Sequence, residues 1–266
     1  MFYVWQKSIV DSEAINNYSL DTAKYDYVAS SAKALLGAIP FAGSLLVELA
    51  GHVIPDQRID RITKFALALE DRLGGLEQDF VRSQLTDENF TDLLEEGLRQ
   101  AARSLTDERR SYIAAIIASS LSDENVAYAE SKHLLRMLGE LNDSEIIWLR
   151  FYAVPVIRGD KEYREKHDNI LARPKAFIGS PQQEHDKLAL QQSYKAHLER
   201  LNLLSPRFKT DTRTRQPEFD EFSGGLKLNG YSLTGLGSLL LRHLGTHPKY
   251  NKNDEQVGVG DAEEAV

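Results

Sequence analysis

The stretch Thr106-Asp107-Glu108-Arg109-Arg110-Ser111-Tyr112-Ile113-Ala114-Ala115-Ile116-Ile117-Ala118-Ser119-Ser120-Leu121-Ser122-Asp123-Glu124 holds a helix together with both of its borders. A threonine followed by two carboxylates starts a helix well, because its side-chain oxygen accepts from a free N–H of the first turn and the acids face the positive end of the helix dipole. Ser122-Asp123-Glu124 repeats that signal, so one helix ends and another begins within a few residues. Tyr112, Ile113, Ile116, Ile117 and Leu121 recur at helical spacing and predict an inward face, as do Leu134, Leu135, Leu138 and Leu141 in the helix that follows. Connections this short predict antiparallel neighbours in a bundle.

The pattern continues in both directions. Asn142-Asp143-Ser144-Glu145 has the spacing of a capping box and predicts a further helix through Ile146, Ile147, Leu149, Arg150 and Phe151, stopped by Pro155. On the N-terminal side, Ile59, Ile62, Phe65, Ala66, Leu69 and Leu73 form one stripe, ended by Gly74-Gly75. Further stripes fall at Leu76, Phe80 and Val81, then at Phe90, Leu93, Leu94, Leu98, Ala101, Ala102 and Leu105. Residues 20–155 are therefore expected to be an antiparallel helical bundle, and 1–19 an arm laid on it.

Within that region, 34–54 is expected to be an apolar hairpin, because Pro40 between Gly37 and Gly43 interrupts a run without any charge from Ala34 to Val47. That run is shorter than the roughly 20 residues of a bilayer-spanning helix. Leu35, Leu36, Ile39, Phe41, Leu45, Leu46 and Val47 suit a buried core, a partner-binding hairpin or a segment that enters membrane on activation. The three readings need the same apolar residues and stay open.

Residues 156–180 turn polar and are expected to be a linker carrying the domain boundary. The Arg158-Gly159-Asp160 triplet within it consists of common residues and carries no weight. Ser180-Pro181-Gln182-Gln183 then predicts a helix start, with Ser180 as cap and Gln183 completing a capping box. Its helix ends in His197-Leu198-Glu199-Arg200-Leu201-Asn202-Leu203-Leu204. A polar stretch follows, then Tyr231-Ser232-Leu233-Thr234-Gly235-Leu236-Gly237 opens a last helix. Thr234 is expected to cap it, with Leu233, Leu236, Leu239 and Leu240 buried. His247-Pro248 ends that helix, and 246–266 has the composition of a disordered acidic tail.

Residues 181–245 resemble a winged-helix module, in which a helix ending in this leucine pattern leads through a hairpin into a threonine-capped helix. The fold class expected is mainly α: an N-terminal helical bundle followed by a small winged-helix-like α+β module. Together with Glu108-Arg109-Arg110-Ser111-Tyr112-Ile113-Ala114-Ala115-Ile116-Ile117-Ala118 and the Leu141–Leu149 stretch, the order of features over 90–245 resembles the bacterial Abi-alpha family, named for abortive phage infection. The resemblance implies a bacterial cytoplasmic protein with a role in phage defence, and brings no catalytic motif with it.

Composition narrows the function classes. The chain has no cysteine, which removes disulfides, thiolate metal sites and cysteine nucleophiles and suits a reducing compartment. Its start, Met1-Phe2-Tyr3-Val4-Trp5-Gln6-Lys7, lacks the basic and apolar regions of a signal peptide, and a cytoplasmic location is expected. A net charge of −8 opposes a whole-surface grip on nucleic acid. A local patch remains: Arg200, Arg207, Lys209, Arg213 and Arg215 cluster near the expected hairpin and are the candidate nucleic-acid residues, although Asp211, Glu218, Asp220 and Glu221 interrupt them.

Histidines 52, 133, 167, 185, 197, 243 and 247 show no metal-ligand spacing, and Gly224-Gly225 and Gly235-x-Gly237 are too sparse to cradle phosphate. Serine pairs 30–31 and 119–120 sit in no nucleophile elbow. No catalytic residue, cofactor or metal is expected. A non-enzymatic interaction protein with a protein partner is the first expectation, a DNA-binding regulator the second and a membrane-acting effector the third.

Overall fold

The computed structural model describes residues 58–122, 128–154, 160–221 and 224–248. The arm expected at 1–19, the apolar hairpin at 34–54 and the tail beyond residue 248 lie outside them. Among the described residues the chain is mostly helical with one two-stranded antiparallel sheet. It divides into two compact units, the first ending at Asn142 and the second beginning at Asp143.

The first unit contains α1 (Ile59–Leu73), α2 (Gln78–Gln84), α3 (Glu88–Arg103), α4 (Asp107–Ser122) and α5 (Tyr128–Glu140). Helix α4 packs on α1, α3 and α5, and α3 also contacts α1 and α5, so the two central helices share one core. Ile62, Phe65, Leu69 and Leu73 of α1 meet Phe90, Leu93, Leu94 and Leu98 of α3 and Ile113, Ile116 and Ile117 of α4, all buried. Burying each such side chain contributes about 1.5–3 kcal/mol before chain entropy is counted. Close approach between α3 and α4 depends on Gly97, where an added Cβ would lie 2.3 Å from the Ile117 Cδ1.

Polar side chains then fasten one helix to another. Arg61 donates to the Ala102 carbonyl at 3.2 Å, Gln100 to the Leu135 carbonyl at 2.9 Å and Arg109 to the Leu141 carbonyl at 2.6 Å. Asp87 caps α3 by accepting from Asn89 and Phe90 N–H, and Thr106 accepts from Arg109 N–H at the start of α4. Leu105 departs from its expected inward place and is 82% exposed. Helix α3 stops at Arg103, and Ser104 is extended (ψ 131°), which takes Leu105 out of the helical register.

The second unit contains α6 (Asp143–Tyr152), α7 (Lys161–Lys166), α8 (Asp168–Leu171), α9 (Gln182–Arg200), β1 (Leu204–Phe208), β2 (Leu228–Leu233) and α10 (Gly235–His243). Helix α6 was expected in the bundle, with the boundary at 156–180; it is the hub of the second unit instead, contacted by α8, α9, β2 and α10. Its buried face explains why. Glu145, expected to close a capping box, is buried and pairs with Nδ1 of His197 on α9 at 2.7 Å. The Lys195 ammonium lies 4.2 Å from the centroid of the buried Trp148 ring, and the Tyr152 ring meets Tyr231 of β2 edge-on at 5.8 Å.

Helix α9 ends at a left-handed residue, Asn202 (φ 56°), with Leu203 N–H bonded to the Leu198 carbonyl and Asn202 N–H to that of Glu199. This double closure needs a residue that tolerates positive φ, and places the two leucines in the core. The chain then enters β1, which pairs with β2 from Leu204↔Leu233 to Phe208↔Leu228 with a register shift at Arg207/Phe208.

Thr234 caps α10 as expected, accepting from Gly237 N–H at 3.0 Å, and its hydroxyl donates to the Asn202 carbonyl at 2.7 Å. The buried side chains of α10 and its end are Leu240, Leu241, His243 and Leu244, while Leu233, Leu236 and Leu239 are only half-buried. Contact of Gly237 with the Leu203 carbonyl turns that face of α10 inward and sets the difference. The expected cap at Ser180 is also replaced: α9 begins at Gln182 with Pro181 as N-cap and no side-chain cap bond.

Candidate interaction surface

Between β1 and β2 the chain folds into an arm of two successive tight turns. In the first, the Asp211 carboxylate accepts from the N–H groups of Arg213 and Thr214 at 2.8 and 2.7 Å, and Arg215 takes the left-handed conformation (φ 54°). These hydrogen bonds hold the Asp211 carboxyl below the usual carboxylate range, that from Thr214 foremost. In the second, Gly224 (φ 67°) donates to the Asp220 carbonyl at 2.9 Å. Backbone bonds Lys209 N–H to Lys227 O, Glu218 N–H to Lys209 O and Lys227 N–H to Glu218 O tie the three passes of chain together, each at 2.8 or 2.9 Å.

Two cross-strand pairs define one side of this arm. Phe208 lies opposite Leu228, and Phe219 opposite Leu226. Leu226 and Leu228 flank Lys227 on the chain, so the two phenylalanine–leucine pairs follow one another closely along the arm. All four are between 41% and 63% exposed. Lys227, between the leucines, pairs with Glu218 at 3.6 Å.

The charges divide unevenly. Arg207, Lys209, Arg213 and Arg215 are exposed and form no ion pair among the described residues, whereas Asp211 is engaged in its turn and Glu218 is paired with Lys227; Asp220 and the exposed Glu221 add two further carboxylates beside the second turn. Arg200, the fifth basic candidate, is exposed at the last position of α9 rather than on the arm. The arm thus presents four basic side chains next to apolar surface, with its remaining carboxylates gathered at the second turn.

A second feature of the same unit is a cleft of about 600 Å³ between α8, residues 172–181 and α9, lined among others by Ile170, Arg173, Lys175, Phe177, Lys187 and Tyr194. Gln191 braces its floor by donating to the carbonyls of Ile170 and Ala172 at 2.8 and 2.9 Å. Residues 172–180 fall within the segment expected to be a linker.

The basic residues of the arm stand out in the sequence but its apolar pairs do not, since Phe208, Phe219, Leu226 and Leu228 are scattered through a polar stretch and become neighbours only through two turns. The alternation Leu226-Lys227-Leu228 was the one local signal. Among the described residues no group of three His, Asp or Glu side chains is placed to hold a metal ion, and no helix is long and apolar enough to cross a membrane. Leu35, Leu36, Ile39, Phe41, Leu45, Leu46 and Val47 lie outside the described residues. Comparison with protein-family models, with curated proteins and with solved structures finds no match to this chain.

Proposed function

We propose that this chain is a non-enzymatic interaction protein whose β1–β2 arm docks on an acidic protein partner. The observation that carries this reading is the apolar side formed by Phe208, Phe219, Leu226 and Leu228, flanked by four basic side chains without carboxylate partners. Apolar side chains exposed together and rimmed by unpaired charge are the composition of a protein–protein contact, in which the apolar part supplies affinity and the charge supplies orientation and encounter rate. The arm stands on a rigid base, because β1 and β2 are fixed by the Asn202 closure and the Thr234 cap.

The four basic residues also support a second reading, a DNA-binding regulator, which the winged-helix resemblance of 181–245 favours. Phenylalanine–leucine pairs contribute little to phosphate contacts, and for that reason it stands second. The Abi-alpha resemblance supplies the setting, phage defence in the bacterial cytoplasm, and that part of the proposal rests on the resemblance alone.

The test compares affinity purification of full-length wild type with two variants, Phe219→Asp/Leu226→Asp and the alanine replacement of Arg207, Lys209, Arg213 and Arg215, each first shown to melt with the wild type. A partner retained by wild type and lost by both variants is expected. Duplex DNA binding that weakens steeply with salt and disappears only in the basic variant would move the second reading to first place. Identical co-purifying proteins for wild type and both variants would overturn the arm's assignment.

A further inference from the structure

The turn that follows the cleft is built to hold two large apolar side chains in solvent. Phe177 is 67% exposed and Ile178 is fully exposed, and neither position results from loose chain. Ser180 Oγ donates to the Lys175 carbonyl at 2.7 Å and accepts from Phe177 N–H at 3.0 Å, while Ser180 N–H bonds the Phe177 carbonyl at 2.9 Å. Gly179 supplies the positive φ (94°) that closes this loop. The turn is anchored to α9 as well, because Glu184 accepts from Lys175 N–H at 2.9 Å. A serine hydroxyl satisfied on both sides and a glycine in a conformation other residues avoid fix the direction of the tip.

Basic side chains outnumber acids along the cleft beside the tip. Arg173, Lys175 and Lys187 line the cleft beside Phe177. Of the nearby acids, Glu184 is occupied by Lys175 N–H and the Lys187 ammonium (3.4 Å), and Asp186 accepts from Gln182 at 2.8 Å. The Lys175 N–H foremost keeps the Glu184 carboxyl below its ordinary range, so it stays ionised and engaged. Arg173 and Lys175 form no ion pair among the described residues.

We propose that the turn 173–180 is an interfacial anchor for an anionic lipid surface, with Phe177 and Ile178 entering the headgroup and acyl boundary while Arg173 and Lys175 contact lipid phosphates. A narrow convex tip with two exposed apolar side chains offers a rigid partner little area to match, whereas a fluid interface closes around it. Long cationic side chains beside it suit the same boundary, with their stems in the apolar zone and their heads at the phosphates. The site is separate from the arm and does not depend on the function proposed above.

The experiment is co-sedimentation of the full-length protein with phosphatidylcholine vesicles, with and without phosphatidylglycerol, at low and high salt. Binding is expected only with phosphatidylglycerol and is weakened by salt. Arg173→Gln/Lys175→Gln should lower partitioning on the order of 30-fold, since each basic residue near an anionic surface is worth about a factor of five. Phe177→Asp/Ile178→Asp should lower it on the order of 100-fold by removing both apolar groups, with an unchanged melt because both side chains are exposed.

An Ile178→Trp variant reads insertion directly: its fluorescence should shift to the blue and be quenched by brominated lipid. Absence of binding to either vesicle, equal binding by the Phe177→Asp/Ile178→Asp variant, or an Ile178→Trp signal that brominated lipid leaves unquenched would each overturn the proposal. Capture of the tip by a protein in place of vesicles would appear as the first of these results.

Discussion

Gly237 offers the sharpest test of the second unit's packing. A methyl group there would lie 2.4 Å from the Leu203 carbonyl oxygen and 2.7 Å from the Leu233 Cδ1, where ordinary contact begins at 3.4 Å. The Leu233 methyl can rotate aside, but the carbonyl belongs to backbone already fixed by its bond from Thr234 N–H at 3.1 Å. Helix α10 must therefore recede by about 1 Å, which loosens Leu240 and Leu241 and strains the Thr234 cap; overpacking of this kind costs about 1–3 kcal/mol and a weakened cap about 1 more. Replacing glycine returns up to about 1 kcal/mol of helix propensity.

Gly237→Ala is expected to destabilise the second unit by about 2 kcal/mol net. Gly235→Ala is the control, since nothing lies within 4 Å of its added methyl, and it should be neutral or slightly stabilising. Denaturant unfolding followed by Trp148 fluorescence, in a Trp5→Phe background that leaves one tryptophan, reports on this unit alone. A Gly237→Ala midpoint equal to or above the wild type would refute the close approach of α10 to Leu203.

Three further outcomes are expected. Asn202→Val should cost about 1–2 kcal/mol because a β-branched side chain resists the left-handed conformation, while Asn202→Gly should be nearly neutral; the same unfolding assay separates them. His197→Ala removes the 2.7 Å hydrogen bond to the buried Glu145 and should destabilise by about 1–3 kcal/mol, with Glu145→Gln/His197→Gln recovering part of the loss in a double-mutant cycle. Burial, with the Tyr231 ring beside it, pushes the Tyr152 phenol up to about 12, so it should remain un-ionised when ordinary tyrosines titrate. Its neutral form favours the fold fully below the unfolded value near 10, and that contribution fades as pH rises toward 12; Tyr152→Phe should flatten this part of the stability curve.

The helices of the first unit were legible because each buries one stripe, and a stripe at helical spacing is written in the residues themselves: Phe90, Leu93, Leu94, Leu98 and Ala101 announce α3 without help from elsewhere. Thr234 and the leucines around Asn202 were legible for a related reason, since caps and closures act within one turn. The division of the chain was not, because Glu145 and Trp148 of α6 satisfy a capping or bundle pattern locally and are claimed by His197 and Lys195 from far along the sequence. Nor was the surface. Ser180 looks like a helix cap in sequence, and its hydroxyl serves Lys175 and Phe177 instead; Phe219 and Leu226 look solitary until two turns bring them opposite each other.

Nesting of turns within the arm bears on the order in which the second unit assembles. Pairing Leu204 with Leu233 directly would require a long loop to close before any contact rewarded it, a slow event whose entropy grows with loop length. The turns at Asp211–Gln216 and Asp220–Gly225 are local and can form on their own, each shortening the remaining gap before β1 and β2 meet. The arm that displays Phe219 and Leu226 to a partner thus also serves as the zipper along which its own sheet closes, and slower refolding with little change in unfolding rate is the expected signature of an Asp211→Ala chain.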